Sequence, residues 1–287
     1  MDRIDQAIRP LGCIHEIVLV DDASPDEAWS RIAELSRIHA HVRGIRLSRN
    51  FGQHAAINAG LFAARGQKIV VMDCDLQDRP EEIPRLLEVL NDDVQIALAS
   101  RVDRQDTLFK KSASRAFYRL LGWLTDSEYD STTANFGAYS RKVIDTVLSM
   151  PESDRFFPLL VRWTGFRAVL VTVTHGRREH GRSGYTLRQL IRLATNVALS
   201  FSDKPLRLVV KMGLFVAGLA ALIVLYSVYR YLAGDVEVAG FTSIVASIWL
   251  IGSVILSSVG VVGLYVGRLY NQTKLRPHFI IAERSGT

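Results

Sequence analysis

Apolar residues fall into three successive patterns along this chain. Up to about residue 100, short runs rich in Val, Ile and Leu alternate with longer stretches of helical spacing. The short runs are residues 17–20, 42–47, 69–72 and 96–100. A run that is apolar on both faces suits a buried parallel strand, because such a sheet is covered by helices on both sides. Between these runs, Trp29, Ile32, Ala33, Leu35 and Ser36 predict a helix over about 26–39. A second helix is expected over about 53–65, ended by Gly66. A third is expected over 80–90, with Pro80 early and Glu81 and Glu82 in its first turn, where the helix dipole favours acids. Residues 1–13 read as the end of a helix and a turn, broken by Pro10 and Gly12. The alternation predicts a doubly wound, largely parallel α/β sheet.

The second pattern runs from residue 101 to about 211. Residues 101–125 are basic and amphipathic, with Leu108, Phe117, Leu120 and Leu124 interleaved with Lys110, Lys111, Arg115 and Arg119. A polar loop follows over 126–135. Asn135 to Arg141 reads as a strand or turn leading into a helix over 141–149. A further helix over 156–164 and a strand over 168–174 precede a glycine-broken basic loop over 177–185. Residues 186–202 have one apolar stripe, and as a helix they would lie on a membrane surface or pack into the soluble core.

The third pattern is two uncharged apolar stretches, 212–229 and 241–267. Crossing a bilayer takes about 20 apolar residues, and the first stretch reaches that length by extending to 233. Lys204, Arg207 and Lys211 precede the first stretch, and Arg268, Lys274 and Arg276 follow the second. The loop between them has Asp235 and Glu237 and no base. Basic flanks stay in the cytosol, so both termini are expected there, in a multi-pass protein of the inner (plasma) membrane. The expected organisation is a catalytic domain over 1–185 and a juxtamembrane segment over 186–211. Spans over 212–233 and 241–267 follow, joined by an external loop at 234–240, and 268–287 is a cytosolic tail.

Composition adds little to this. The formal charge of +6 in 287 residues could point to nucleic acid. However, many of the bases flank the apolar stretches, and no nucleic-acid module is visible, so no nucleic-acid partner is expected. Cys13 and Cys74 have neither metal-site spacing nor the makings of a disulfide framework.

The chemistry gathers at strand ends. After the run at 69–72 come Asp73, Cys74, Asp75, Leu76, Gln77 and Asp78. Open α/β sheets bind ligands at the carboxyl ends of their strands. Asp73 and Asp75 are two apart, so on a regular strand they share a side, with Gln77 continuing the parity. Paired oxygen ligands suit a hard divalent cation that grips a phosphate; a solvated acidic turn has the same composition.

Four motifs carry a family resemblance: Val20-Asp21-Asp22-Ala23-Ser24-Pro25-Asp26, Leu47-Ser48-Arg49-Asn50-Phe51-Gly52-Gln53-His54, Met72-Asp73-Cys74-Asp75-Leu76-Gln77-Asp78 and Gly181-Arg182-Ser183-Gly184-Tyr185-Thr186. Over about 16–210 the chain resembles inverting glycosyltransferases of family 2, in the branch that moves a sugar from a nucleotide to a polyprenyl phosphate. The resemblance implies a GT-A-like fold with two C-terminal transmembrane helices. It also implies a nucleotide-sugar donor, a polyprenyl (undecaprenyl or dolichyl) phosphate acceptor, contact with membrane lipid and homo-oligomers as a possibility. Asp21, Asp22, Ser24 and Asp73 would meet the nucleotide-sugar. Asp73, Asp75 and Gln77 would hold Mg²⁺ or Mn²⁺. Arg101, Arg115, Arg178 and Arg182 are candidates to position the acceptor phosphate beside the donor diphosphate. That phosphate is already ionised and needs placement more than a general base.

Two departures stand out. Family members usually open with a strand ending in a Pro-x-Tyr-Asn-Glu-like turn, and this opening is absent here; without that central strand, apolar edges should be exposed. Many members also carry an acid near the position of Asn135, which cannot act as a base. A transferase with a saccharide acceptor would have to find its base elsewhere, for example Asp130. A degenerate, membrane-anchored, non-catalytic homologue is the other alternative.

Overall fold

The computed structural model describes residues 1–74, 77–101, 133–152, 155–174, 204–233 and 240–286. The elements in chain order are α1 (Asp2–Ile8), β1 (Ile17–Asp21), α2 (Ala28–Ile38), β2 (Val42–Leu47), α3 (Gln53–Ala63), β3 (Lys68–Val71), α4 (Ile83–Val89) and β4 (Ile96–Arg101). They continue with β5 (Thr133–Ser140), α5 (Arg141–Ser149), α6 (Phe157–Trp163), β6 (Ala168–Val173), α7 (Lys204–Leu232), α8 (Phe241–Thr273) and β7 (Ile281–Ser285). Two compact units result, one of Met1–Ser112, Asp130–Ser183 and Leu275–Thr287, the other of Ala113–Tyr129 and Gly184–Lys274.

The first unit holds every described strand. Its sheet is mixed and in two parts, where a single, mostly parallel sheet was expected. One part has the order β1-β2-β7, the other β3-β5-β4-β6. Only the β1–β2 and β4–β6 pairings are parallel. The pairings of β2 with β7, β3 with β5 and β4 with β5 are antiparallel. β5 causes most of the difference, since it runs between β3 and β4 and opposite to both. Ser140 caps the helix after it, accepting a hydrogen bond from the Val143 amide at 3.4 Å. No described strand joins β1 to β3. Their free edges are not bare, because residues 18–20 and 70–71 are half-buried. Val18 and Val20 pack against Ile45, Leu47 and Ala59, while Val70 and Met72 pack against a second core that includes Leu86, Ala97, Phe136 and Ala138.

β7 lies within what the sequence reading takes as a cytosolic tail. It pairs with β2 over Gly44↔Ser285 to Leu47↔Ile281. An ion pair and a hydrogen bond support the seam, with Arg46 Nη1 donating to Glu283 Oε1 at 2.8 Å and Trp29 Nε1 donating to Glu283 Oε2 at 3.0 Å. Gly44 makes room for it. A Cβ there would collide with Ser285 Oγ and stand 2.5 Å from Ile32 Cγ2.

The second unit contains α7 and α8, of 29 and 33 residues. At 1.5 Å per residue these are roughly 44 and 50 Å long, more than the ~30 Å hydrocarbon core of a bilayer. Leu214, Phe215, Leu222, Ile248, Leu256 and Leu264 are each more than half exposed. Among the described residues, one stretch, Leu250–Thr273 of α8, is long and apolar enough to cross a membrane, with a mean hydropathy of 2.0.

Gly44→Ala is expected to unseat β7, costing about 1–3 kcal/mol as overpacking does. Thermal unfolding in detergent should show the loss, and limited proteolysis should cut the C-terminal segment faster. Unchanged melting and unchanged cleavage would argue against β7 as an integral strand.

Candidate active site

The carboxyl ends of β1, β2 and β3 and the amino end of α3 supply the candidate groups. Asp21 ends β1, with its side chain 1% exposed. Its Oδ1 accepts the Ser24 amide at 3.0 Å, closing a turn in which Ala23 has φ +53°. Its Oδ2 has no hydrogen-bond partner and lies 3.6 Å from Arg46 Nε. The buried carboxylate is therefore held by a turn on one side and a guanidinium on the other.

Asp22 faces the loop that follows β2. Its Oδ1 accepts the Phe51 amide at 2.8 Å and its Oδ2 accepts the Gly52 amide at 2.7 Å. Hydrogen bonds to an ionised acceptor are the stronger kind. Gly52 adopts φ +97°, a region that suits glycine, and this brings two successive amides onto one carboxylate. Arg49 stacks over the Phe51 ring, 4.0 Å from its centroid. The same loop enters α3 at Gln53, whose Nε2 donates to Asp73 Oδ1 at 2.8 Å. Residues 51–53 thus bridge the acid after β1 to the acid after β3.

Beneath the bridge lies His54, its ring 4.4 Å from that of Phe156. Its Nδ1 is buried without a hydrogen-bond partner. Burial holds the imidazole below its ordinary value, and the Asp73 carboxylate acts in the opposite direction. Asn58 is fully buried one turn on and donates to the His54 carbonyl at 2.7 Å.

Of the residues singled out in the sequence, Asp21, Asp22, Ser24 and Asp73 are brought together at these strand ends. Gln77 is half-buried on the loop after β3. Arg101 ends β4, where its backbone pairs with Val173 of β6. Asp75, Arg115, Arg178 and Arg182 lie outside the described residues, as does Asp130. Sequence reasoning missed Gln53, the paired amides on Asp22 and the Arg46–Asp21 contact. The polar turn at 48–54, placed at a strand's carboxyl end, was the available signal for the first two.

The sequence model described as "Glycosyl transferase family 2" matches residues 4–148. The glycosyltransferase YkcC of Bacillus subtilis (strain 168) is 34% identical over 273 residues, which cover 95% of this chain and 84% of that protein. Undecaprenyl-phosphate 4-deoxy-4-formamido-L-arabinose transferase of Klebsiella pneumoniae (strain 342) is 35% identical over 282 residues, covering 97% and 86%. The solved structure of mannosyltransferase PcManGT from Pyrobaculum calidifontis, in complex with GDP-Man and Mn²⁺, aligns with a TM-score of 0.40 at 17% identity, over 90% of this chain and 77% of that one. That last likeness is too distant for anything to be carried over.

Asp22→Ala should orphan the Phe51 and Gly52 amides and cost about 1.5–3 kcal/mol, the range for hydrogen bonds to a charged group. A denaturant titration measures this, and a stability equal to the parent's would contradict the clamp. The lowered His54 value has a definite sign: folding disfavours its protonated form, so its stabilisation is complete above about pH 6.5 and is lost as pH falls through the folded value. His54→Phe keeps an aromatic ring against Phe156 and should flatten the fall in melting temperature below that pH.

Proposed function

The chain belongs to glycosyltransferase family 2, and we propose that it transfers a sugar, with inversion, from a nucleotide-sugar to a polyprenyl phosphate at the cytosolic face of the plasma membrane. One observation carries this reading. The loop at 51–53 binds Asp22 through two amides and Asp73 through Gln53, so acids from separate strands converge at the ligand-binding end of a GT-A-like fold. The acceptor class rests on the relative named as an undecaprenyl-phosphate transferase, 86% of whose length is covered.

A divalent cation fits the residues present. Asp73 supplies a half-buried carboxylate with one oxygen already oriented by Gln53. Asp75 and Gln77 would complete an all-oxygen donor set, the kind Mg²⁺ and Mn²⁺ prefer. The cation would neutralise charge on the donor diphosphate. Asp22 and Ser24 bind and orient the nucleotide in this reading. Asp21 shapes the turn that presents them. The neutral His54 imidazole backs the loop without adding charge. Arg101, Arg115, Arg178 and Arg182 hold the acceptor phosphate in line with the anomeric carbon, opposite the leaving nucleotide. Attack from that face inverts the configuration. The phosphate oxygen carries no proton to be removed, so Asn135 need not be an acid.

Chain connectivity supports a two-span reading. The chain leaves the first unit before α7 and returns to it after α8, where β7 is hydrogen-bonded to β2. A chain that departs and returns on one side crosses an even number of times. With α8 taken as a span, α7 is the second crossing in this reading. The basic flanks of the pair favour the cytosol for that side.

Transfer to bare polyprenyl phosphate, assayed with a panel of nucleotide-sugars and Mg²⁺ or Mn²⁺, tests the proposal. Asp73→Asn and Asp75→Ala should each lower turnover by at least ~100-fold, comparable to removing a key electrostatic contact in a transition state, while membrane insertion is unchanged. Transfer only to a saccharide-bearing carrier, abolished by Asp130→Asn, would replace this acceptor with the other.

A further inference from the structure

At the opposite end of β1 and β2 from these acids, three ligating side chains converge. His15 lies two residues before β1, and His41 lies immediately before β2. The Ile17 amide donates to the His41 carbonyl at 2.8 Å, which ties the start of β1 to His41, and the Val42 amide donates to the His39 carbonyl at 3.0 Å in the turn that carries His41; His15 lies just outside the paired residues. Asp5 comes from α1, where Ile4 and Ile8 anchor the helix against the core. Asp5 Oδ1 is 3.2 Å from His15 Nε2 and 3.1 Å from His41 Nε2. All three ligating atoms lie within 4.8 Å of one another, on half-buried side chains.

We propose that Asp5, His15 and His41 form a binding site for Zn²⁺ or a similar transition-metal ion that clasps α1 to the starts of β1 and β2. Zinc binds imidazole nitrogen at about 2.0–2.1 Å and carboxylate oxygen at about 2.0–2.2 Å, so neighbouring ligands on a tetrahedron stand roughly 3.3 Å apart. The two Asp5–histidine separations are already close to that edge. Two imidazoles and one carboxylate select a borderline metal over Mg²⁺ or Ca²⁺, which take oxygen. The fourth position goes to solvent. Five-residue strands rise about 3.3 Å per residue, so the cluster lies roughly 16 Å from Asp21 and takes no part in sugar transfer. Its role is structural. α1 has seven residues, too few to be stable alone, and β1 is paired on one side only among the described strands. A metal bridging the three segments holds the helix in place and fixes the edge strand.

The test uses the full chain in detergent, stripped with a chelator and titrated with Zn²⁺ against a chromophoric competitor, then with Co²⁺ as an optical probe. One equivalent should bind, with the visible absorption of four-coordinate Co²⁺, and Zn²⁺ should raise the melting temperature. Loss of an outer-sphere partner weakens metal sites by 10–100-fold, so His15→Asn, His41→Asn and Asp5→Asn should each weaken Zn²⁺ binding by at least ~100-fold. Asp73→Asn should leave it unchanged, which separates this site from the sugar-transfer acids. Each variant's far-UV circular dichroism is compared with the parent's, and Zn²⁺ should no longer raise its melting temperature. Parent-like Zn²⁺ affinity in the histidine variants, or no bound equivalent in the parent, would overturn the proposal and leave a hydrogen-bonded Asp–His cluster.

Discussion

The candidate site depends on one ionic hydrogen-bond arrangement, the Asp22 carboxylate shared between the Phe51 and Gly52 amides. Those amides stand at the start of α3, where the first N–H groups of a helix lack intrahelical partners and favour negative charge. The neighbouring cap gets no side-chain help, and the Gly52 carbonyl accepts the Ala55 and Ala56 amides instead. The acid that follows β1 therefore stabilises the helix entry that delivers Gln53 to Asp73. Without that clamp, the acids after β1 and β3 would belong to independent loops. They would repel one another with nothing to set their spacing.

A split sheet makes this bridge more important. β1 and β3 are not hydrogen-bonded to each other, and each belongs to a separate run of strands. Separate hydrophobic clusters back the two runs, Ile45, Leu47 and Ala59 on one side and Leu86, Phe136 and Ala138 on the other. In a continuous sheet, ladder hydrogen bonds would hold adjacent strand ends in register. Here loop 51–53 performs that task with side-chain and amide contacts. Arg43 helps at the other end of β2, where its guanidinium meets Glu16 and the Ala63 carbonyl, each at 2.5 Å.

Much of this was legible in the residues, and the exceptions have physical reasons. β1, β2, β4 and β6 read directly as apolar runs, and the acids at the ends of β1 and β3 followed from strand polarity. β5 was harder. Gly137 lies so close to its neighbours that a Cβ would stand 3.0 Å from the Ala97 carbonyl oxygen, so the position demands the residue that most resembles a turn. The direction of β5 is also a tertiary property, set by what it inserts between. β7 was read as tail because Ile281-Ala282-Glu283-Arg284-Ser285 is a polar edge strand. Its partner contact, Arg46 with Glu283, spans 237 residues and leaves no local signal. Gln53 was hidden for the same reason, since a side-chain contact across 20 residues has no periodicity.

Arg46 connects these features. Its Nε faces the buried Oδ2 of Asp21 at 3.6 Å, and its Nη1 holds Glu283 of β7 at 2.8 Å. A buried carboxylate without a nearby cation is costly, and removing one partner of a buried pair is worse than replacing both. The guanidinium that compensates Asp21 is thus also the one that receives the strand returning from α8. Glu283 is half exposed and also open to solvent, whereas buried Asp21 pairs with no other cation among the described residues. Seating of the returning strand and the charge balance of the turn at 21–24 are therefore coupled through a single side chain. On this account β7 belongs to the scaffold that shapes the turn at 21–24, and residues 281–285 matter to the buried acid at the end of β1.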